Sequence, residues 1–261
     1  MSTFALAARD SATMLRRNLL HVRRYPSLTL NLLLTPVMLL LLFVYVFGDT
    51  MSAGLGGGGR SAYVAYIVPG LLLMTVGSTV VGTAVSVSTD MSEGVIARFR
   101  TMAIHRPSVL VGHVAGSVLR SVAGVVLVGA VGVAVGFRSV GASAVEWLAA
   151  FGLLVLFALA LTWIAVGMGL VSPNAEAAGN SAMPLILLPL LSSAFVPVDS
   201  MPGWFQPVAE YQPFTPAIET LRGLLLGTGI GHSGWLALAW CLGLALLGYR
   251  WSTATFDRDP K

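Results

Sequence analysis

The chain has 261 residues, of which 56% are hydrophobic and only 10% charged, with a formal net charge of +4. Lys261 is the one lysine among fifteen basic residues, so no Walker A loop and no interior Schiff-base lysine can be built from it. The single cysteine, Cys241, excludes an intrachain disulfide framework and reads as a buried, inert thiol in an apolar run.

Residues 1–26 carry Met14, Leu15, Leu19 and Val22 at helical spacing, flanked by Arg16, Arg17, Arg23 and Arg24. This predicts a basic amphipathic helix lying on a membrane surface. A cleaved signal is not expected, because the next apolar run is too long and five more follow it. That run, Leu28–Phe47, holds about twenty uncharged residues, enough at about 1.5 Å each to cross a hydrocarbon core of roughly 30 Å. Pro36 lies inside it, and a glycine-rich turn (Gly54, Gly56 to Gly59) follows. The second span is expected over Tyr63–Ser88, the third up to about Phe137, the fourth over Trp147–Val171, the fifth over Ala177–Val196 and the sixth over Gly234–Tyr249. Asn174, Glu176 and Asn180 read as a polar turn before the fifth. The expected fold is therefore all-α. It is one polytopic membrane domain over 1–261, with six transmembrane helices and no separate soluble core.

Basic residues set the expected orientation. With the N-terminus in the cytoplasm, the cytoplasmic side holds Arg9, Arg16, Arg17, Arg23, Arg24, Arg98, Arg100, Arg106, Arg120, Arg250, Arg258 and Lys261. The outer side holds only Arg60, Arg138 and Arg222. Both termini are expected to be cytoplasmic.

Two segments between the spans carry the candidate chemistry. Residues 89–108 contain Asp90, Glu93, Gly94, Arg98, Phe99 and Arg100, with Val95, Ile96, Phe99 and Met102 on one side. They read either as a solvated loop or as a short helix that docks on a partner, for which arginine beside an aromatic ring is suited. Residues 197–232 are too broken by proline for a span and too apolar for a solvated loop. A re-entrant helical hairpin in the outer leaflet fits them, with Trp204, Phe205 and Tyr211 at the interface. Glu219 and Arg222 are three residues apart and can pair. Arg120, in the third span, either snorkels to the cytoplasmic surface, faces a polar cavity or pairs with Glu93. Gly112 and Gly116 form a GxxxG, a weak signal in so glycine-rich a chain. His21, His105, His113 and His232 lack metal-ligand spacing, and no metal is expected.

Taken in order, four stretches resemble a known family. They are Asn31 to Gly48, Tyr63 to Gly70, Glu93-Gly94 with Arg98-Phe99-Arg100 and His105-Arg106-Pro107, and Met201 to Pro216 with Arg222-Gly223. Together they resemble the permease subunit of ABC exporters of the second (type-2) permease family, most of all its daunorubicin-resistance branch. The resemblance implies a permease without an ATPase site, working as a homo- or heterodimer in a bacterial plasma membrane. It implies two separate ATP-binding cassette subunits that carry ATP and Mg. It assigns residues 89–108 to ATPase coupling and the 197–232 hairpin to the outer gate, and implies export of a hydrophobic or amphipathic, drug-like compound. A lipid or glycoconjugate cargo suits the same architecture, and no nucleic-acid partner is expected. An intramembrane hydrolase is disfavoured, because no GxSG, HExxH or paired-glutamate motif occurs. An ion-coupled secondary transporter is disfavoured because no acid lies at a span centre.

Overall fold

The computed structural model describes residues 26–54, 59–93 and 106–258. The interfacial helix expected over 1–26 falls almost wholly outside them, as do Gly94, Arg98, Phe99 and Arg100 of the coupling segment. Among the described residues the chain is helical, without strands. The first five helices are α1 (Pro26–Tyr45), α2 (Gly48–Gly54), α3 (Gly59–Ser92), α4 (Arg106–Val135) and α5 (Ala144–Val171). A broken stretch follows: α6 (Ala175–Ala182), α7 (Pro184–Leu187) and a 3-10 turn (Leu188–Leu191). A second 3-10 turn (Val198–Ser200) leads to α8 (Gln206–Tyr211), α9 (Phe214–Leu226) and α10 (Ser233–Arg258).

Three described helical stretches are long and apolar enough to cross a membrane: Gly59–Ser92, Leu110–Val135 and Ala144–Val171. Leu34–Tyr45 and Ala175–Leu191 are shorter apolar stretches. With 34 residues, α3 measures about 51 Å and overshoots a hydrocarbon core of roughly 30 Å. It is the axis of the molecule. Helices α1, α4, α5, α6 and α9 all pack on it, and Ile67, Leu71, Leu73, Val76 and Val80 are fully buried. On its far side α5 carries α10, and Gly248 sets how close the two come. A Cβ there would stand 2.7 Å from the Ile164 amide nitrogen, so only glycine fits.

Local sequence explains several boundaries. Ser143 and Glu146 form a capping box at the start of α5: the Glu146 amide donates to Ser143 Oγ at 3.3 Å, and the Ser143 amide donates to Glu146 Oε2 at 2.6 Å. Asn174 caps α6 by accepting from the Ala177 amide at 2.8 Å, which accounts for the polar turn expected there. Helix α9 ends on Gly227 in the left-handed conformation, φ +67°.

The fifth expected span is not one helix. Pro184 and Pro189 have no amide to give the carbonyls one turn back, so the helix breaks after Ala182 and tightens to 3-10 at Leu188. The 197–232 region does hold two helices, α8 and α9, joined at Gln212–Pro213. They differ in burial. Trp204, Val208 and Tyr211, in or beside α8, are exposed, whereas α9 sinks Phe214, Ile218, Leu221 and Leu225 against α3, α5 and α10. The Gly112–Gly116 pair faces inward and is buried within the chain.

Candidate functional site

The broken backbone after Leu191 needs partners, because amides and carbonyls at membrane depth cannot rely on water. They come from side chains. Ser192 Oγ donates to the Pro189 carbonyl at 2.5 Å and accepts from the Ala194 amide at 3.2 Å. The Ser193 amide donates to Thr215 Oγ1 of α9 at 3.3 Å. The Ser193 carbonyl accepts twice, from the Tyr66 hydroxyl of α3 and from Arg222 Nη2 of α9, both at 2.9 Å.

Arg222 is the hub of this cluster. Its Nε and Nη2 donate to the Tyr66 carbonyl at 3.3 and 3.1 Å, and Nη1 pairs with Glu219 Oε1 at 2.5 Å. Its guanidinium lies over the Tyr66 ring, 3.8 Å from the centroid. A planar fork of donors makes this possible, and lysine could not reproduce it. Arg222 therefore ties α9, α3 and the turn after Leu191 into one latch.

Two cavities flank α9. One, of about 430 Å³, has Tyr66, Asp199, Glu210, Glu219, Arg222 and His232 among its lining residues. The other, of about 440 Å³, is apolar and lies among Leu153, Leu156, Leu224, Trp235 and Leu238. Of the expected aromatic residues, Trp204, Phe205 and Tyr211, none lines the polar cavity. Trp204 is 80% exposed and in edge contact with Phe205, and the Tyr211 carbonyl accepts from Trp240 Nε1 at 2.9 Å.

At the other end of α3 a second set of polar contacts joins α3 to α4. Asp90 Oδ2 lies 3.1 Å from His113 Nε2, and both side chains are buried. Two turns deeper, Arg120 Nη2 donates to Thr83 Oγ1 at 3.1 Å. Thr83 donates to Ser117 Oγ at 2.7 Å, Thr162 of α5 donates to the same oxygen at 3.2 Å, and Thr79 and Ser121 share a hydrogen bond of 2.6 Å. An arginine in the middle of a membrane helix costs about 2.5–3.5 kcal/mol to insert. The hydroxyl layer offsets part of that cost without supplying a countercharge.

Asp90, grouped by sequence with the docking residues, is turned inward and clamps α3 to α4. Glu93 is exposed in the turn just after α3. Arg120 contacts Thr83 and not Glu93. Sequence reasoning left out Tyr66, Ser193, His113 and the hydroxyl layer. Only the layer had a readable signal: Thr79 and Thr83, like Ser117 and Ser121, are four apart and so share a helix face.

The profile of the ABC-2 type transporter family covers residues 10–226. The chain belongs to that family. This ABC-2 permease is 31% identical to the daunorubicin resistance ABC transporter permease protein DrrB1 of Streptomyces coeruleorubidus, over 86% of its own length and 77% of the relative's. It is also 24% identical to the probable doxorubicin resistance ABC transporter permease protein DrrC of Mycobacterium tuberculosis, over 82% of its own length and 79% of that protein's. Members of the family are membrane subunits rather than ATPases. In the ABC-2 permease the Arg222 latch and the Asp90–His113 clamp stand near opposite ends of the same long helix.

Proposed function

We propose that the chain is the membrane subunit of an ATP-driven exporter that carries a hydrophobic or amphipathic, drug-like compound out of a bacterial cell. Six spans lie in the plasma membrane with both termini cytoplasmic; the broken α6–α7 stretch is the fifth and α10 the sixth. Two permeases, identical or related, form the pathway. Two ATP-binding cassette subunits, holding ATP and Mg, dock on residues 89–108 through Glu93, Gly94, Arg98, Phe99 and Arg100. Trp204, Phe205, Tyr211, Glu219 and Arg222 belong to the outer gate.

The observation that carries this reading is the continuity of α3. One helix runs from Tyr66 in the Arg222 latch to Asp90 beside the charged segment, about 36 Å along its axis. A push on the cytoplasmic segment thus has a continuous helical path to the outer latch, with Pro69 near its Tyr66 end. The two cavities beside α9, one polar and one apolar, suit a cargo with both characters. The daunorubicin and doxorubicin resistance for which the relatives are named points to a cargo of that kind.

The test is ATP-dependent uptake of daunorubicin into inverted vesicles containing the permease and its ATPase. Glu93→Ala combined with Arg98→Ala should lower uptake at least about tenfold, equivalent to about 1.4 kcal/mol, with membrane insertion unchanged. Normal uptake by this double variant would sink the coupling assignment. Stimulation by lipid alone would move the cargo to the lipid class. Gradient-driven uptake without ATP would replace the exporter with a secondary transporter.

A further inference from the structure

Asp90 lies in the last turn of α3, and His113 lies about 10 Å along α4 from its start at Arg106. Their side chains, 12% and 5% exposed, meet at 3.1 Å between Asp90 Oδ2 and His113 Nε2. The pair therefore bridges the helix that enters the charged segment and the helix that leaves it. Beneath it is a small buried cluster distinct from the main core. Val87, one turn before Asp90, and Leu110 and Val114, on either side of His113, pack there with Trp163 of α5 and Phe256 of α10. Close backbone contacts tie α5 to both α3 and α10 at the same level. A Cβ at Gly169 of α5 would stand 2.5 Å from the Ala84 carbonyl oxygen of α3, and one at Gly167 would stand 2.5 Å from the Trp251 ring of α10. Ser252 Oγ of α10 donates to the Trp163 carbonyl at 2.9 Å.

Helix α4 joins this assembly at its N-terminal end in two ways. One is apolar contact, which is non-directional and leaves the helix free to turn or slide. The other is the Asp90–His113 pair, which is directional, and fixing register is the best-attested use of a buried polar pair. We propose that Asp90 and His113 are positioning residues for ATP coupling. Their pair fixes the start of α4 against the end of α3. Residues 89–108 then stand on one packed base of four helices, and a push on them moves that base as a whole. Asp90 acts through His113 and not by touching the ATPase. The inference rests on the assignment of residues 89–108 to ATPase docking, and adds to it the pair that passes the load to the helices.

The test uses the full chain in complex with its ATPase, in lipid nanodiscs, and needs no knowledge of the cargo. Glu210→Cys is the reporter, because Glu210 is exposed and lines the polar cavity at the other end of α3. Cys241 is buried. The rate of maleimide labelling at position 210 is measured with and without ATP, beside the melting temperature and ATPase binding. In the parent chain ATP should change that rate at least about fivefold, the low end of coupling between distant sites. His113→Ala strips a partner from a buried carboxylate and endangers folding. Asp90→Leu combined with His113→Leu avoids this, since apolar replacement of both members of a buried pair is often neutral for stability. This double variant should keep its melting temperature and lose most of the ATP-driven change. Asp90→His combined with His113→Asp rebuilds the pair in reverse and should recover it.

A pair that only stabilised the fold would give the opposite result, because the apolar double variant would then couple normally. A full ATP-driven change in that variant overturns the proposal and leaves the docking assignment standing. So does a reversed pair that folds and binds the ATPase yet couples no better than the apolar variant. A parent chain that binds no ATPase, or binds it and shows no change at position 210, overturns the docking assignment and this inference together.

Discussion

At the scale of single residues, the Arg222 latch separates two side chains that look equivalent in sequence. Glu219 and Arg222 do pair, but the arginine also holds two carbonyls on different elements and stacks on a ring. The Glu219 side chain is 38% exposed, that of Arg222 11%. A simple buried pair would lose more from either single change than from both together. The observed geometry predicts an unequal result. Arg222→Gln should cost about 1–3 kcal/mol, because it strips a charged donor from the Tyr66 and Ser193 carbonyls in a buried cluster. Glu219→Gln should cost about 1 kcal/mol or less, because water screens it. The double variant should track Arg222→Gln. Thermal melts of the solubilised variants, with uptake measured in parallel, check this; a double variant as stable as Glu219→Gln would show that the carboxylate dominates.

Among the elements, the closest approach of α5 and α10 rests on Gly248. Gly248→Ala should push the helices apart and destabilise by about 1–3 kcal/mol, since the new methyl meets backbone that cannot yield. Gly243, on the same helix, has nothing within 4 Å of its would-be Cβ. Gly243→Ala should therefore be neutral or stabilising by up to about 1 kcal/mol through helix propensity. Comparing the two melting temperatures isolates packing from propensity, and equal shifts would refute the packing account. The broken α6–α7 stretch gives a complementary lesson. Its prolines interrupt an apolar helical stretch, and the freed carbonyl of Ser193 becomes the point at which α3 and α9 are joined.

For the whole molecule, the arginine distribution predicts which face meets the cytoplasm. Cysteines introduced one at a time at Gly57 and Arg100 should label from outside and from inside respectively. Cys241 is buried and adds little background. Labelling of position 100 but not 57 by an impermeant reagent would reverse the orientation, and with it the assignment of the Arg222 latch to the outer end.

Sequence alone determined the helical membrane class, the lack of a nucleotide-binding lysine, the bounds of α1, α3 and α5 to within a few residues, and the family. These follow from composition and from runs of apolar residues, both set by neighbours along the chain. The Glu219–Arg222 pair was legible for the same reason, being one helical turn apart. Tyr66 and Ser193 were not, because they meet Arg222 across 156 and 29 residues of chain. Asp90 belongs to the charged segment and His113 lies beyond it, and nothing in a charged run says which of its acids will turn inward. Only the packing of α3 against α4 and α9 decided that Asp90 is a clamp, that Arg120 meets a hydroxyl rather than an acid, and that Arg222 holds three elements at once. Such contacts depend on which helix faces are buried together, a property of the assembled bundle that no single helix carries in its own periodicity.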